Sequence, residues 1–252
     1  MTGMMNGRTP FANLAKRFYK TVSVSGEEGD GWRILLDGRA VKTPLRATLA
    51  LPTEALAQNV AREWEAQGDK IVPKSMPLTK LANTALDAVR GREAEVAADI
   101  LSFAGRDLVC YRAEAPEELV ARQNAAWQPV LQWVETHQLG SKLIVTTGIM
   151  PVDQPVEALA AMKWVFSHFD AFALSALHVM TTLTSSAVLT LALAHKQLSV
   201  DECWAAAHVD EDFQIAKWGA DAEASARREA RRAEMFAAAE FLRLRSATSE
   251  MK

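Results

Sequence analysis

The chain has 252 residues, 49% of them hydrophobic, and a formal net charge of -3. That apolar content supplies a packed core, and the charge balance lacks the basic field that draws proteins to nucleic acid or anionic lipid, so neither partner is expected. Two cysteines, Cys110 and Cys203, are too few for a disulfide framework, and neither sits at metal-ligand spacing from a histidine; a reducing compartment fits them.

The opening residues MTGMMNGRTPFANLAKRFYK contain no uninterrupted apolar stretch, so no secretory signal is expected, and residues 1–15 read as a flexible N-terminus. From Arg17 to Leu51 the composition favours a β meander, with Asp37-Gly38 as a two-residue hairpin turn. The glycine-rich loop Gly26–Gly31 precedes no helix, so it has no dipole with which to hold a phosphate. At Thr53, a candidate N-cap, the period becomes helical: Leu56, Val60 and Trp64 recur at four-residue spacing. Further stripes follow at Leu78, Leu81, Ala82, Ala85, Leu86 and Val89, and at Val96, Ala97, Ile100, Leu101 and Ala104. Leu108–Tyr111 reads as a strand or an extended connection. Pro116 opens a helix bearing Leu119, Trp127, Val130 and Val134, in which Pro129 marks a kink or a second start.

Leu143–Thr147 is a short β-prone run, and Gly148–Pro155 is the best internal linker. A stripe of Val156, Leu159, Met162, Phe166 and Phe169 comes next. Ala171–Ala194 then carries no Asp, Glu, Lys or Arg and is long enough to span a bilayer. Its Ser175, His178, Thr181, Thr182, Thr184, Ser185, Ser186 and Thr190 favour a buried central helix, broken near Thr184–Ser186, over a membrane anchor. Two final helices are expected over Val200–Trp218 and Asp221–Leu244. The fold class is therefore α+β, a small N-terminal β meander plus a larger all-helical part. Residues 16–75 are expected as a β-rich domain with one helix, 76–245 as a helical domain and 246–252 as a flexible tail.

No nucleophile elbow, phosphate loop, zinc-protease or calcium-loop pattern occurs, and the five histidines never pair at helical spacing, so no cofactor or metal is expected. His178 reads as a hydrogen-bonded core histidine and both cysteines as small buried hydrophobes. All but the first of the seven tryptophans lie in expected helices, and sequence does not rank them by exposure. In the penultimate helix, Val200, Cys203, Trp204, Ala207, Ile215 and Trp218 share one face with Glu211 and Gln214. A buried Glu211 would need a partner, whereas at a groove floor it would receive one from another protein; the alternative is an Asp210-Glu211-Asp212 cluster facing solvent. In the last helix, Ala226, Ala230, Ala233, Ala237, Phe241 and Leu244 form a small-residue seam with Glu240 at its edge. Arg227, Arg228, Arg231 and Arg232 make an opposite, solvated face of local ion pairs.

Several fragments, in this order, resemble the assembly chaperones of the ATP synthase α subunit. They are Arg17-Phe18-Tyr19, Leu36-Asp37-Gly38-Arg39, Lys42-Thr43-Pro44, Glu63-Trp64 with Gln67, Leu78-Thr79, Asn83-Thr84, Cys110-Tyr111-Arg112, and Asp210-Glu211-Asp212-Phe213-Gln214 leading to Trp218-Gly219. The match covers roughly Arg17 to Leu244. The resemblance implies a non-enzymatic protein that binds the free, unassembled α subunit and prevents its aggregation until α pairs with β. It associates an acidic residue near the C-terminal end with that role, carried here onto Glu211, with Glu240 as a second candidate. Asp210, Gln214 and Trp218 join them as partner-binding candidates. A monomer in the bacterial cytoplasm is expected, or in the mitochondrial matrix for a eukaryotic member. The competing reading is an acid-base hydrolase using Glu211 or Asp210 with a histidine such as His178.

Overall fold

Strand-forming residues on either side of a glycine turn start the chain. The computed structural model describes residues 14–27 and 29–246, so the expected flexible ends lie almost wholly outside the described residues. β1 (Val22–Glu27) pairs antiparallel with β2 (Gly31–Leu36), in register from Val22 opposite Leu36 to Glu27 opposite Gly31. Asp37 and Gly38 take φ values of 48° and 79°, both positive, as a twist-matched two-residue hairpin requires. The Asp37 carboxylate accepts from the N–H groups of Lys20 and Thr21 at 3.1 and 2.8 Å, tying the turn to the start of β1. β3 (Arg39–Ala40) and β4 (Ala50–Leu51) both pair with β2, and because β1 fills one edge they share the other.

α1 (Glu54–Glu65) begins as its residues dictate: the Thr53 hydroxyl oxygen accepts from the Leu56 N–H at 3.2 Å. Leu56 and Val60 are fully buried beneath the sheet and helices. At the far end of α1, Glu63 caps the next helix, α2 (Pro77–Thr84). Its carboxylate accepts from the N–H groups of Leu78 and Thr79 and from the Thr79 hydroxyl, each at 2.7 Å. Those backbone donors have no partner within their own helix, and the carboxylate also suits the positive end of the helix dipole.

α3 (Glu93–Ala104) follows, then a single 3-10 turn at 108–110, and Tyr111 enters β5 (Tyr111–Arg112). α4 (Glu117–Val134) runs on through Pro129 with no second start. Its Trp127 is 1% exposed and donates its ring N–H to the Ala206 carbonyl at 2.7 Å. β6 (Thr146–Thr147) pairs parallel with β5, and the Gly148–Pro155 loop leads into α5 (Val156–Phe166). Val156, expected in the buried stripe, is 79% exposed: as the first residue of α5 it lies beyond the packed part of that helix.

The uncharged segment divides where its serines and threonines suggest, into α6 (Ala171–Thr184) and α7 (Ala187–Ala194). Ser185 between them is left-handed at φ 54°, and the Ser186 side chain caps α7 by accepting from the Leu189 N–H at 2.9 Å. The buried Thr184 and Thr190 hydroxyls donate to the Met180 and Ser186 carbonyls, so their burial leaves neither hydroxyl loose. The two halves, of 14 and 8 residues, are core elements. Among the described residues no helix is long and apolar enough to cross a membrane. His178 is half-buried on α6 and its ring makes no hydrogen bond among the described residues, so it is not the bonded core histidine expected.

The penultimate helix departs from expectation. It is two helices, α8 (Val200–Ala207) and α9 (Val209–Trp218), interrupted at His208. In an unbroken helix the nine residues from Trp204 to Phe213, at about 100° each, would put them on opposite faces. Both are buried, because the break re-aims α9. The single apolar face through Ile215 and Trp218 therefore does not exist. α10 (Ala222–Arg245) also differs: Ala226, Ala230 and Ala233 are exposed, and its packed face is Met235, Ala238, Phe241, Leu242 and Leu244. Only the C-terminal half of α10 lies over the core, so the small-residue period has nothing to pack against in the first half.

Candidate functional site

Acidic residues at the start of a helix suit its dipole, and α9 opens with Asp210, Glu211 and Asp212. Phe213 is the one residue of α9 that is buried, held between Arg122 and Lys217, whose charged groups stand 5.4 and 5.3 Å from its ring centre. Everything else on the helix is at least partly open. The Asp210 carboxylate accepts from Gln123 Nε2 at 2.7 Å, while Gln123 Oε1 accepts from the Ala113 N–H at 2.8 Å. Gln123 is 1% exposed, so a buried amide holds α9 against the end of β5.

Glu211 is half-exposed, its carboxylate 3.7 Å from Arg228 Nε and 4.0 Å from His208 Nε2. Arg228, on α10, also pairs with Asp212. The solvated-face reading of the α10 arginines is thus incomplete: Arg228 and Arg232 reach across to α9 and α8, the latter through Asp201 at 2.9 Å. Both readings of the acidic triplet hold in part, since Glu211 is open to solvent and yet partnered. Gln214 is exposed, and Trp218 is 78% exposed at the end of the helix. Of the other tryptophans, Trp127 and Trp204 are buried and Trp164 is exposed.

The structure therefore brings Asp210, Glu211, Gln214 and Trp218 together on one helix and leaves Glu240 apart. Glu240 forms a two-pronged pair with Arg243 at 2.7 Å and lines a separate cleft of about 810 Å³ with Leu193, Val200 and Phe236. No residue of α9 borders that cleft. The sequence reading missed Gln123, His208 and Arg228, all brought to the triplet from outside α9. Nothing local announces the contacts of Gln123 and Arg228, whereas His208 stands three residues before Glu211, a helical spacing that could have found it.

The hydrolase reading named a histidine, and the one beside Glu211 is His208, not His178. Its Nδ1 is bonded to the Trp204 carbonyl at 2.8 Å, and its ring stacks on Trp204 at 3.7 Å. Burial holds its pKa below the ordinary histidine value. That imidazole is mainly packing: one ring nitrogen is held by the Trp204 carbonyl, and the other lies 4.0 Å from the Glu211 carboxylate, beyond hydrogen-bond distance. The cysteines are buried, and burial pushes Cys203 up to about 12 and Cys110 higher still, which removes thiolate character. Among the described residues no group of three His, Cys, Asp or Glu is placed to hold a metal ion.

The remaining motif fragments are structural latches. Arg17 donates to the carbonyls of Tyr19, Glu65 and Gln67, and the Tyr19 hydroxyl donates to the Trp64 carbonyl at 2.7 Å. Thr43 donates to Asp87 at 2.6 Å, and Arg112 is buried over Trp127. The run from Asp210 to Trp218 is the longest of these fragments, and apart from Phe213 it is open to a partner.

A small antiparallel sheet joined to a helical body, with an acidic helix lying open on it, defines an α+β protein whose distinctive surface is a helix face. The model of the ATP12 chaperone protein family matches residues 16–135. The crystal structure of Atp12 from Paracoccus denitrificans is 40% identical, with a TM-score of 0.86 over 91% of this chain and 98% of that one. An aspartate-to-lysine mutant of the Paracoccus denitrificans protein is 39% identical over 92% and 98%, also at 0.86. The Atu1473 protein of Agrobacterium tumefaciens is 45% identical over 91% of this chain and 86% of its own, at the same score. The chain belongs to the ATP12 chaperone family.

Proposed function

We propose that this protein binds the unassembled α subunit of ATP synthase and keeps it from aggregating until α pairs with β. The observation that carries the reading is the condition of α9. A helix that buries one side chain out of ten and leaves a tryptophan almost bare contributes little to its own fold. Trp218 has the large area and single donor that favour interface anchors, and the acids beside it fit a basic or amide-bearing client. Masking a sticky subunit surface lowers the population able to aggregate, by mass action. The role is non-catalytic, supported by the packed state of His208, and the protein acts as a monomer in the bacterial cytoplasm, or in the mitochondrial matrix of a eukaryote. Glu240, in its own cleft, is a secondary contact.

The test is to dilute denatured α subunit into buffer with and without this chain and follow light scattering. The wild type should suppress aggregation at equimolar ratio; no suppression sinks the reading. Glu211→Gln should weaken capture roughly three- to tenfold with the thermal midpoint nearly unchanged. Glu211→Lys should weaken it further, but it places a second cation beside Arg228, so its midpoint must be measured alongside.

A further inference from the structure

Exposed apolar side chains are scattered on most proteins, but here they are grouped. Of the nine large apolar residues exposed among the described residues, five fall within residues 144–156: Ile144, Val145, Ile149, Met150 and Val156. Ile149 is 92% exposed and Met150 74%. The loop that carries them is tied at its base. The buried Gln154 side chain exchanges two hydrogen bonds with the Ile144 backbone at 2.8 and 2.9 Å, and the Gly148 N–H donates to the Arg112 carbonyl at 2.9 Å. The apolar tip is thus held outward by a fastened frame, which lowers the ordering cost of any contact it makes.

A relay of hydrogen bonds links the base of this loop to α9. Gly148 bonds to Arg112, the next residue Ala113 bonds to Gln123, and Gln123 bonds to Asp210, so one side-chain amide separates the loop's anchor from the acidic helix. Glu114 lies against the loop, its Oε1 3.0 Å from where a Gly148 side chain would begin. Glu118 is neutralised by Arg122 and Lys217, whereas Glu114, Glu117 and Asp210 form no ion pair among the described residues. The exposed apolar residues of the loop, Ile149 and Met150, and of α9, Trp218, are thus accompanied by carboxylates without an ion pair among the described residues, Glu114, Glu117 and Asp210.

We propose that the Gly148–Pro155 loop is the second half of the client-binding surface, and that the occupant is a segment of the α subunit carrying aliphatic side chains flanked by lysine or arginine. The proposal rests on the α-subunit reading and adds where, and through what chemistry, capture occurs. Aliphatic groups fill the contacts at Ile149 and Met150, and cations meet Glu114, Glu117 and Asp210.

Affinity for unassembled α subunit is measured for the full-length protein, for the double variant Ile149→Ser/Met150→Ser and for Glu114→Lys/Glu117→Lys. All four residues are exposed, so the apolar variant should keep the wild-type thermal midpoint; Glu117→Lys places a cation at the start of α4 and should lower the midpoint of its variant slightly, which is measured separately from affinity. Each double variant should lose about tenfold in affinity, and wild-type binding should weaken with added salt. Wild-type capture by the apolar double variant overturns the proposal and leaves the chaperone reading standing. If instead that variant converts a dimer of this chain into a monomer with capture intact, the loop is a self-association surface and the proposal also fails. If the wild type does not capture α at all, the chaperone reading falls first and takes this one with it.

Discussion

Asp107 drew no notice in the sequence and is the one fully buried acid among the described residues. It is completely buried, accepts from the Val109 N–H at 3.2 Å and from the Val188 N–H at 2.9 Å, and so joins a 3-10 turn to the start of α7. Desolvation pushes its pKa up to about 6, against the lowering effect of Ser186, Val188 and their neighbours. A carboxyl whose folded pKa exceeds its unfolded value of 3.8 binds its proton more tightly in the native state. Its contribution to stability is therefore full below the unfolded value and falls as pH rises to about 6, by about 3 kcal/mol in all. Urea unfolding of wild type and Asp107→Asn should show the wild-type advantage shrinking between pH 4 and pH 6. A difference that is flat, or grows, would remove this account. Asp107 was invisible beforehand because a buried carboxylate is recognised by its distant donors, here 81 residues away at Val188.

Elements were mostly readable from local chemistry. The Asp37-Gly38 hairpin, the Thr53 cap and the break at Thr184–Ser186 each depend on residues within a few positions of the feature. The last of these yields a stability test. Ser185 holds a left-handed φ of 54°, a region that costs a residue with a Cβ, so Ser185→Gly should raise stability by about 0.5–1 kcal/mol, read as a higher urea midpoint. An unchanged or lower midpoint would mean the residue is not strained there. The failures at this scale share one cause. The α8–α9 break and the exposed first half of α10 follow from what other helices cover, and a helical period records which residues align but not whether anything lies opposite. A period that runs through His208 reads as one face when the chain has turned.

Across the whole molecule, one apolar cluster runs from Tyr19 in the N-terminal part to Leu244 in the last helix. Polar latches join the same regions: Glu63 to α2, Thr43 to Asp87, and the Thr53 hydroxyl to the Leu244 carbonyl at 2.7 Å. A core shared in this way should unfold in a single step. Thermal transitions followed by tryptophan fluorescence and by far-ultraviolet circular dichroism should coincide, and two separated midpoints would mean that the sheet region and the helical body are independent units.

The sequence by itself determined the order of sheet and helices, the burial of the uncharged segment, the absence of any familiar catalytic motif and the family resemblance. These depend on local propensity and on the spacing of apolar residues, which the chain carries wherever it folds. Only the tertiary structure decided which acids share a surface. Asp210 and Glu211 acquire Gln123 and Arg228 through packing, Glu240 is removed to another cleft, and a stretch that reads as a linker becomes a fastened apolar loop. Contacts between residues far apart in the chain leave no period in it, and a binding surface is built from such contacts.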